Sequence, residues 1–442
     1  MLDKTHAADA QSWVEAANLA DADFPIQNLP YCAFTAAENS QRLGVGIGDQ
    51  ILDLNACAKA GLLSDLSEDV VQALQASVLN DFMALGRDKW RQVRQHFFTL
   101  LLSDGDLAEK AKALSSDILV AQSDATLALA INIGDFTDYE CSHHHAKRMR
   151  KLMSGATKPL PNGYWLPRAY HGRSSSVVVS GSPIYLPIGQ IEGENETPVV
   201  KPCVNFDYEL ELGIIVGTGN ERGHPISITE AEDHIFGFCI VNDWSARDIQ
   251  KWERLPLGPF LGKNHATSVS PWVVTMEAMA PFRAPQQAVP EEGWPALLPY
   301  LDSKQNRAAG AIDVKFDVLI TTEKMREECM DPVVNSRNKT LDASWTIAQI
   351  ITQHTSNGCN LRSGDLIGSG TVSGEAPSAS ACLMELSEAG SIEREMPTGE
   401  KRSFLAIGDE VVFKGCSQKE GYPRIGFGEV RGLVLPPAVD YS

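Results

Sequence analysis

Residues 206–213 read FDYELELG, and no other run constrains the chain as tightly. A strand sends alternate side chains to opposite faces. Tyr208, Leu210 and Leu212 then share one face, and Asp207, Glu209 and Glu211 share the other. Neighbouring carboxylates on that face are ~7 Å apart along the strand. Three in a row repel one another unless a cation sits between them. The run therefore fits an edge strand with one solvated acidic face, and it also fits a strand whose acidic face holds a metal.

Two further acids bear on that choice. Asp243 follows GFCIVN, which reads as a buried strand, and Asp138 lies in GDFTDYE just after the apolar run at 128–133. Convergence of Asp138, Glu209, Glu211 and Asp243 would make an all-oxygen site suited to Mg²⁺, Ca²⁺ or Mn²⁺ and not to structural zinc. SHHHAKR carries His143, His144 and His145. These fit a polar helix start with solvated imidazoles, or a general base beside a metal, since the imidazole pKa lies near working pH. Such a base needs a partner to fix its tautomer. Glu385 is a candidate. It interrupts the apolar run ACLMEL, read here as a strand, where an unpaired charge would be costly. In NDWSARDIQKWE and the residue after it, Arg247, Gln250 and Arg254 share a face if the segment is helical. Lys263 lies in the loop PLGPFLGKN, and SGTVSG (369–374) offers hydroxyls in a turn without the P-loop pattern.

Around these motifs the chain divides in two. The 442 residues allow two or three domains at ~150 residues each. RLGVGIGDQILDL (42–54) is a hairpin signal with a Gly-Asp turn. Residues 65–112 read as helical, with Phe82, Leu85, Trp90, Val93, Phe97, Leu100 and Leu101 at spacings of three to five and Gly86 marking a helix end. The character changes at 128, so the boundary is set near 127: an accessory domain over 1–127 and a catalytic domain over 128–442. Residues 155–202 are rich in Gly and Pro. Thr229 and Glu232 suggest a capping box. A helix is expected over 344–356, stopping at Asn357-Gly358. Strands are expected at 174–180, 311–321, 365–372, 381–386, 410–413 and 424–435. The class is mainly β with some α, an antiparallel sandwich or roll rather than a doubly wound fold.

Composition narrows the function. Lys plus Arg is 38 and Asp plus Glu 57, a net charge of −19. That argues against binding nucleic acid or an anionic membrane surface. No apolar stretch reaches the ~18 residues of a span, and MLDKTHAADA lacks a secretory core. The nine cysteines include no CxxC pair, which suggests a reducing cytosol and a cytoplasmic protein.

The chain resembles the fumarylacetoacetate hydrolase family in FPIQNLPYCAF, GIGDQILDL, IGDFTD, AYHGRSSSVVVSG, DYELELG, HIFGFCIVNDWSARDIQKWE, PLGPFLGK, SPWVV, HTSNGCNLRSGDLIGSGTVSG, LMELS and GYPRIGFGEV. These run in order from residue 24 to 430, with the block from NDWSARDIQKWE to PLGPFLGK the most specific. The resemblance implies a small SH3-like N-terminal barrel, a larger C-terminal β-roll, a homodimer, and Ca²⁺ or Mg²⁺. It implies Asp138, Glu209, Glu211 and Asp243 as metal carboxylates, with Asp243, Lys263 and Thr267 at a second Mg²⁺ site. His145 matches the general base and Glu385 its orienting carboxylate. Arg247, Gln250 and Lys263 match the polar groups around the scissile carbonyl. Tyr170 and Thr371 match substrate-pocket positions. Three pocket positions depart from the pattern: Glu140 replaces an aromatic hydroxyl, Ser154 a carboxylate-binding arginine, and Arg254 a tyrosine. Arg254 is expected to supply the missing positive charge or to pair with Glu140. The implied reaction is hydrolysis of a carbon–carbon bond in a 1,3-diketo acid. For fumarylacetoacetate the products are fumarate and acetoacetate, a step of tyrosine and phenylalanine breakdown. The alternatives are another acylpyruvate, an oxaloacetate-type decarboxylation, or a metal-stabilised binding protein.

Overall fold

The computed structural model describes residues 2–37, 40–158, 160–287 and 295–439. Near the N-terminus, five antiparallel strands lie in the spatial order Leu119–Ala121, Gln50–Asp53, Arg42–Ile47, Tyr31–Ala36 and Ala125–Ala128. The expected hairpin turns at Gly48, whose φ of 58° is left-handed and whose absent Cβ would sit 2.6 Å from the Ala17 nitrogen. The helical stretch comprises Glu68–Leu74, Asn80–Ala84, Arg87–Leu101 and Asp106–Ala113, and Gly86 divides the second from the third.

The larger part carries an eight-stranded sheet. Its path runs Arg168–His171, Phe136–Glu140, Leu366–Gly368, Leu210–Val216, Ile235–Asp243, Thr267–Val269, Val177–Val179, with Val274–Thr275 also paired to Ile235–Asp243. A five-stranded sheet packs beside it in the order Val333–Lys339, Lys315–Thr321, Glu410–Ser417, Ile425–Leu435, Ile184–Tyr185. Leu212, Ile214, Phe238 and Ile240 from the first sheet share a core with Phe316, Val318, Phe413 and Phe427 from the second. The opposite face presents Ile215, Cys239, Val241 and Leu366 to Tyr31, Phe82, Trp90 and Phe97 of the N-terminal part. A backbone bridge crosses this seam, Tyr31 N donating to Val273 O at 2.9 Å and Val273 N to Tyr31 O at 2.8 Å. With both faces covered, Leu210–Val216 and Ile235–Asp243 are buried along their whole length. The fold is mainly β with some α, a β-roll with a smaller β-sheet unit laid against it.

Three local expectations are corrected. FDYELELG is not one strand. Phe206–Asp207 pairs with Ser245–Ala246, the chain breaks at Tyr208 and Glu209, and Leu210–Val216 joins the large sheet. The expected strand in ACLMEL is the short helix Leu383–Leu386. The capping box at Thr229 and Glu232 does not form. The helix there, Ala231–His234, is 3₁₀ and lacks a side-chain cap, while Ser227 Oγ donates to Glu230 Oε2 at 2.5 Å two residues earlier.

Candidate active site

One end of the large sheet collects the acids. Asp138 pairs in register with Gly368, and Asp243 ends its strand opposite Thr267. Carboxylate oxygens of Asp138, Glu211 and Asp243 lie within 4.8 Å of one another, all three residues buried. Asp138 Oδ1 and both Glu211 oxygens have no hydrogen-bond partner among the described residues. Burial, reinforced by Asp243, pushes the Asp138 carboxyl up to about 7. Burial together with Asp138 and Asp243 drives Glu211 well above the carboxylate range. The orphaned oxygens of Asp138 and Glu211, repelled by each other and by Asp243, are what a hard dication would complete, so these residues fit an oxygen-ligated metal. Gly368 makes room for them: a Cβ there would lie 2.6 Å from Glu211 Oε2 and 2.7 Å from Asp138 Oδ1.

Asp243 also accepts from Tyr170 Oη at 2.8 Å, Lys263 Nζ at 2.6 Å and Thr267 Oγ1 at 3.0 Å. Glu209, expected with the other carboxylates, shares the Lys263 ammonium with Asp243 and also lies against His145 and Cys382. It accepts from Lys263 and, at 2.8 Å, from Arg247. Burial opposes its charge, but Arg247 and Lys263 outweigh burial and hold it below the usual carboxylate range.

The histidine run opens the helix His143–Ser154, capped by Ser142, whose Oγ accepts from His145 N at 3.1 Å. His143 and His145 are buried. His145 Nδ1 lies 2.7 Å from Glu385 Oε2, while Nε2 faces Glu209 Oε1 at 3.6 Å. Glu385 is enclosed further by Ser373 Oγ at 2.6 Å, Cys382 Sγ at 3.2 Å and an Arg148 guanidinium nitrogen at 3.2 Å. Against its burial, His145 and Ser373 lower the Glu385 pKa to about 2. An ionised Glu385 assigns the proton of neutral His145 to Nδ1 and leaves the Nε2 lone pair free.

Arg247 and Gln250 lie on the helix Arg247–Glu253, where Arg247 donates to Gln250 Oε1 at 3.2 Å and to Asp207 Oδ2 at 2.8 Å. Asp207 also accepts from the backbone of Leu383 at 2.7 Å and Met384 at 2.9 Å. It thus ties the arginine helix to the turn bearing Glu385, a role that alternation alone does not reveal. Thr371 is buried in the adjoining loop. Ser154 is exposed and donates to Arg150 O at 2.8 Å in its own helix. The expected pairing of Arg254 with Glu140 does not form. Glu140 pairs with Arg168, its cross-strand neighbour, while Arg254 donates to Met153 O at 3.4 Å and its Nε has no partner among the described residues. Arg148, Arg168, Ser373 and Cys382 were not singled out from sequence. Arg148 had a usable signal, lying three residues after His145 and so on the same helix face.

The family described as fumarylacetoacetase N-terminal matches residues 27–130, and fumarylacetoacetate (FAA) hydrolase C-terminal matches 135–434. The chain belongs to the fumarylacetoacetase family. Among its relatives, the fumarylacetoacetase of Caenorhabditis elegans is 45% identical over 424 residues, spanning 94% of this chain and 97% of its own. Those of Bos taurus and Homo sapiens are each 43% identical, over 421 and 422 residues, with the same two coverages. Fumarylacetoacetase-family membership thus spans both the N-terminal sheet and the β-roll that carries the acid cluster.

Proposed function

We propose that this chain hydrolyses fumarylacetoacetate to fumarate and acetoacetate, in the breakdown of tyrosine and phenylalanine. One observation carries the reading: a buried imidazole, aligned by an enclosed carboxylate, opens beside an all-oxygen acid cluster in which Asp138 Oδ1 and both Glu211 oxygens have no partner among the described residues. Asp138, Glu211 and Asp243, with Glu209 adjacent, would hold Mg²⁺ or Ca²⁺, and Lys263 and Thr267 would flank it. When bound, the dication supplies Lewis-acid polarisation of the diketone oxygens. His145 Nε2 takes a proton from water as the water oxygen adds to the ketone carbon. Glu385 steadies the resulting imidazolium. Arg247, Gln250 and Lys263 offer donors to the oxyanion that develops. The carbon–carbon bond then breaks, its electron pair leaves as the enolate of acetoacetate, and His145 returns the proton to that carbon. Tyr170, Thr371, Glu140, Ser154 and Arg254 are proposed to line the substrate pocket. There the Glu140–Arg168 ion pair favours a pocket shaped differently from the family pattern, so related acylpyruvates remain the second reading.

The test is loss of the diketone ultraviolet absorbance with purified protein, using fumarylacetoacetate and simple acylpyruvates, with and without chelator. Turnover of fumarylacetoacetate that chelator abolishes is expected; chelator-insensitive turnover sinks the mechanism. A homodimer is supported by the exposed apolar residues Leu255, Leu257 and Phe260 beside the Lys263 loop, at 73%, 97% and 65% exposure, and light scattering checks it. Among the described residues no helix is long and apolar enough to cross a membrane. All nine cysteines are free, which supports a reducing, cytoplasmic setting.

A further inference from the structure

The two oxygens of Glu385 are held unequally. Oε2 faces His145 Nδ1 at 2.7 Å, Ser373 Oγ at 2.6 Å and Cys382 Sγ at 3.2 Å. Oε1 has one donor among the described residues, Arg148 Nη1 at 3.2 Å. The last torsion of a glutamate is soft, so a carboxylate held by one oxygen turns about it. The Glu385 side chain is closed to solvent, so bulk water does not reach Oε1 to replace the arginine.

Arg148 is itself anchored. It lies on the helix His143–Ser154 three residues after His145, on the same face. Its guanidinium also donates to Gly374 O at 2.8 Å, to Glu375 O and to Ser380 Oγ at 3.3 Å. One planar fork therefore joins the helix of the base to the segment that leads into Leu383–Leu386, the helix bearing Glu385. A lysine ammonium has no such fixed fork. Charge points the same way. Among the described residues the ion-pair partners of Glu385 are His145 and Arg148. A general base acts while neutral, and in that state Arg148 is the cation left beside a buried carboxylate, where an unpaired charge is costly.

We propose that Arg148 is a positioning residue of this site: by fixing Glu385 Oε1 it keeps Oε2 on His145 Nδ1, and so keeps the Nε2 lone pair aimed at the water. Its effect on turnover rests on the hydrolase reading; its hold on the His145–Glu385 contact does not.

The experiment pairs proton NMR of the ¹⁵N-histidine-labelled full chain with fumarylacetoacetate turnover in Mg²⁺. The wild type should show a far-downfield Nδ1–H resonance, assigned by its absence in His145→Gln. Arg148→Ala should lose that resonance. Its kcat should fall about 10–100-fold, the scale on which loss of an outer partner acts, with KM unchanged. Arg148 is 22% exposed, so its removal opens a gap to solvent. Free guanidinium should fill that gap and restore both the resonance and kcat saturably, whereas equal sodium chloride should not. Arg148→Lys keeps the charge and should keep the resonance and more of the rate than Arg148→Ala. A wild type without the resonance, an Arg148→Ala that keeps it, a loss confined to KM, or a loss that guanidinium does not reverse overturns the proposal. If Arg148→Ala does not fold, Arg148→Lys decides: a resonance in its wild-type place supports the proposal, and its disappearance overturns it. Loss and rescue of the resonance in a chain that turns over no diketo acid would keep the Arg148 assignment and refute the hydrolase reading.

Discussion

At His145 two opposing effects set the charge. Burial disfavours the imidazolium, but Glu385, through its charge and hydrogen bond, and then Glu209 outweigh burial and raise the pKa above its ordinary 6.5. A general base must be neutral, so kcat/KM should fall as pH drops through that raised pKa. Glu385→Gln keeps the shape and removes the charge. The acidic limb of the pH profile should then move to lower pH, while the plateau rate falls about 10²–10⁴-fold, the usual worth of a positioned base. A limb that stays in place would show that the carboxylate does not act on the imidazole. Gly368→Ala tests the acid cluster instead. Its Cβ would crowd Glu211 Oε2 and Asp138 Oδ1. Calorimetric titration should show weakened Mg²⁺ binding, and denaturant melts a loss of about 1–3 kcal/mol, typical of overpacking. Full-strength cation binding in that variant would place the metal elsewhere.

At the level of elements, the sequence is readable where a local rule decides and opaque where a distant partner does. Alternation put Asp207, Glu209 and Glu211 on one side, and the structure keeps all three buried, Asp207 and Glu209 paired with Arg247 and Glu211 without a hydrogen-bond partner among the described residues. It could not reveal the break at Tyr208, because that depends on pairing with Ser245–Ala246 and on N–H groups of Leu383 and Met384, far along the chain. ACLMEL failed for a related reason. A six-residue apolar run fits strand or helix equally well, and here the N–H groups turned toward Asp207 accompany a helix. Asp207→Asn should therefore disturb two elements at once. Removing one partner of a buried ion pair costs about 3–5 kcal/mol, readable as a lower urea midpoint. Turnover should fall as well, because the turn bearing Glu385 loses its tether. A variant with a normal midpoint but low turnover would separate the tether from the stability it provides.

Across the whole molecule, GFCIVN read as a buried strand from sequence, but neither the cover over both faces of its sheet nor the segments that supply it were legible there. The region read as an accessory domain supplies one, through Tyr31, Phe82, Trp90 and Phe97. A sheet held from both sides lets its end carry repelling acids, and that arrangement ties global stability to pH and to metal. In chelator, native Asp138 holds its proton to about pH 7, whereas its ordinary pKa is 3.8. Between those values the native state binds more protons than the unfolded one, so stability should decline as pH rises through that window. Glu385, lowered to about 2 from an ordinary 4.5, acts oppositely: its contribution is present above 4.5 and fades only in stronger acid, so it does not mask the effect. A dication binds the ionised carboxylates and removes the decline. The gap in Tm between Mg²⁺-saturated and chelated protein should widen from about pH 5 to about pH 8. A gap that is constant across that range would mean the three carboxylates share no common cation.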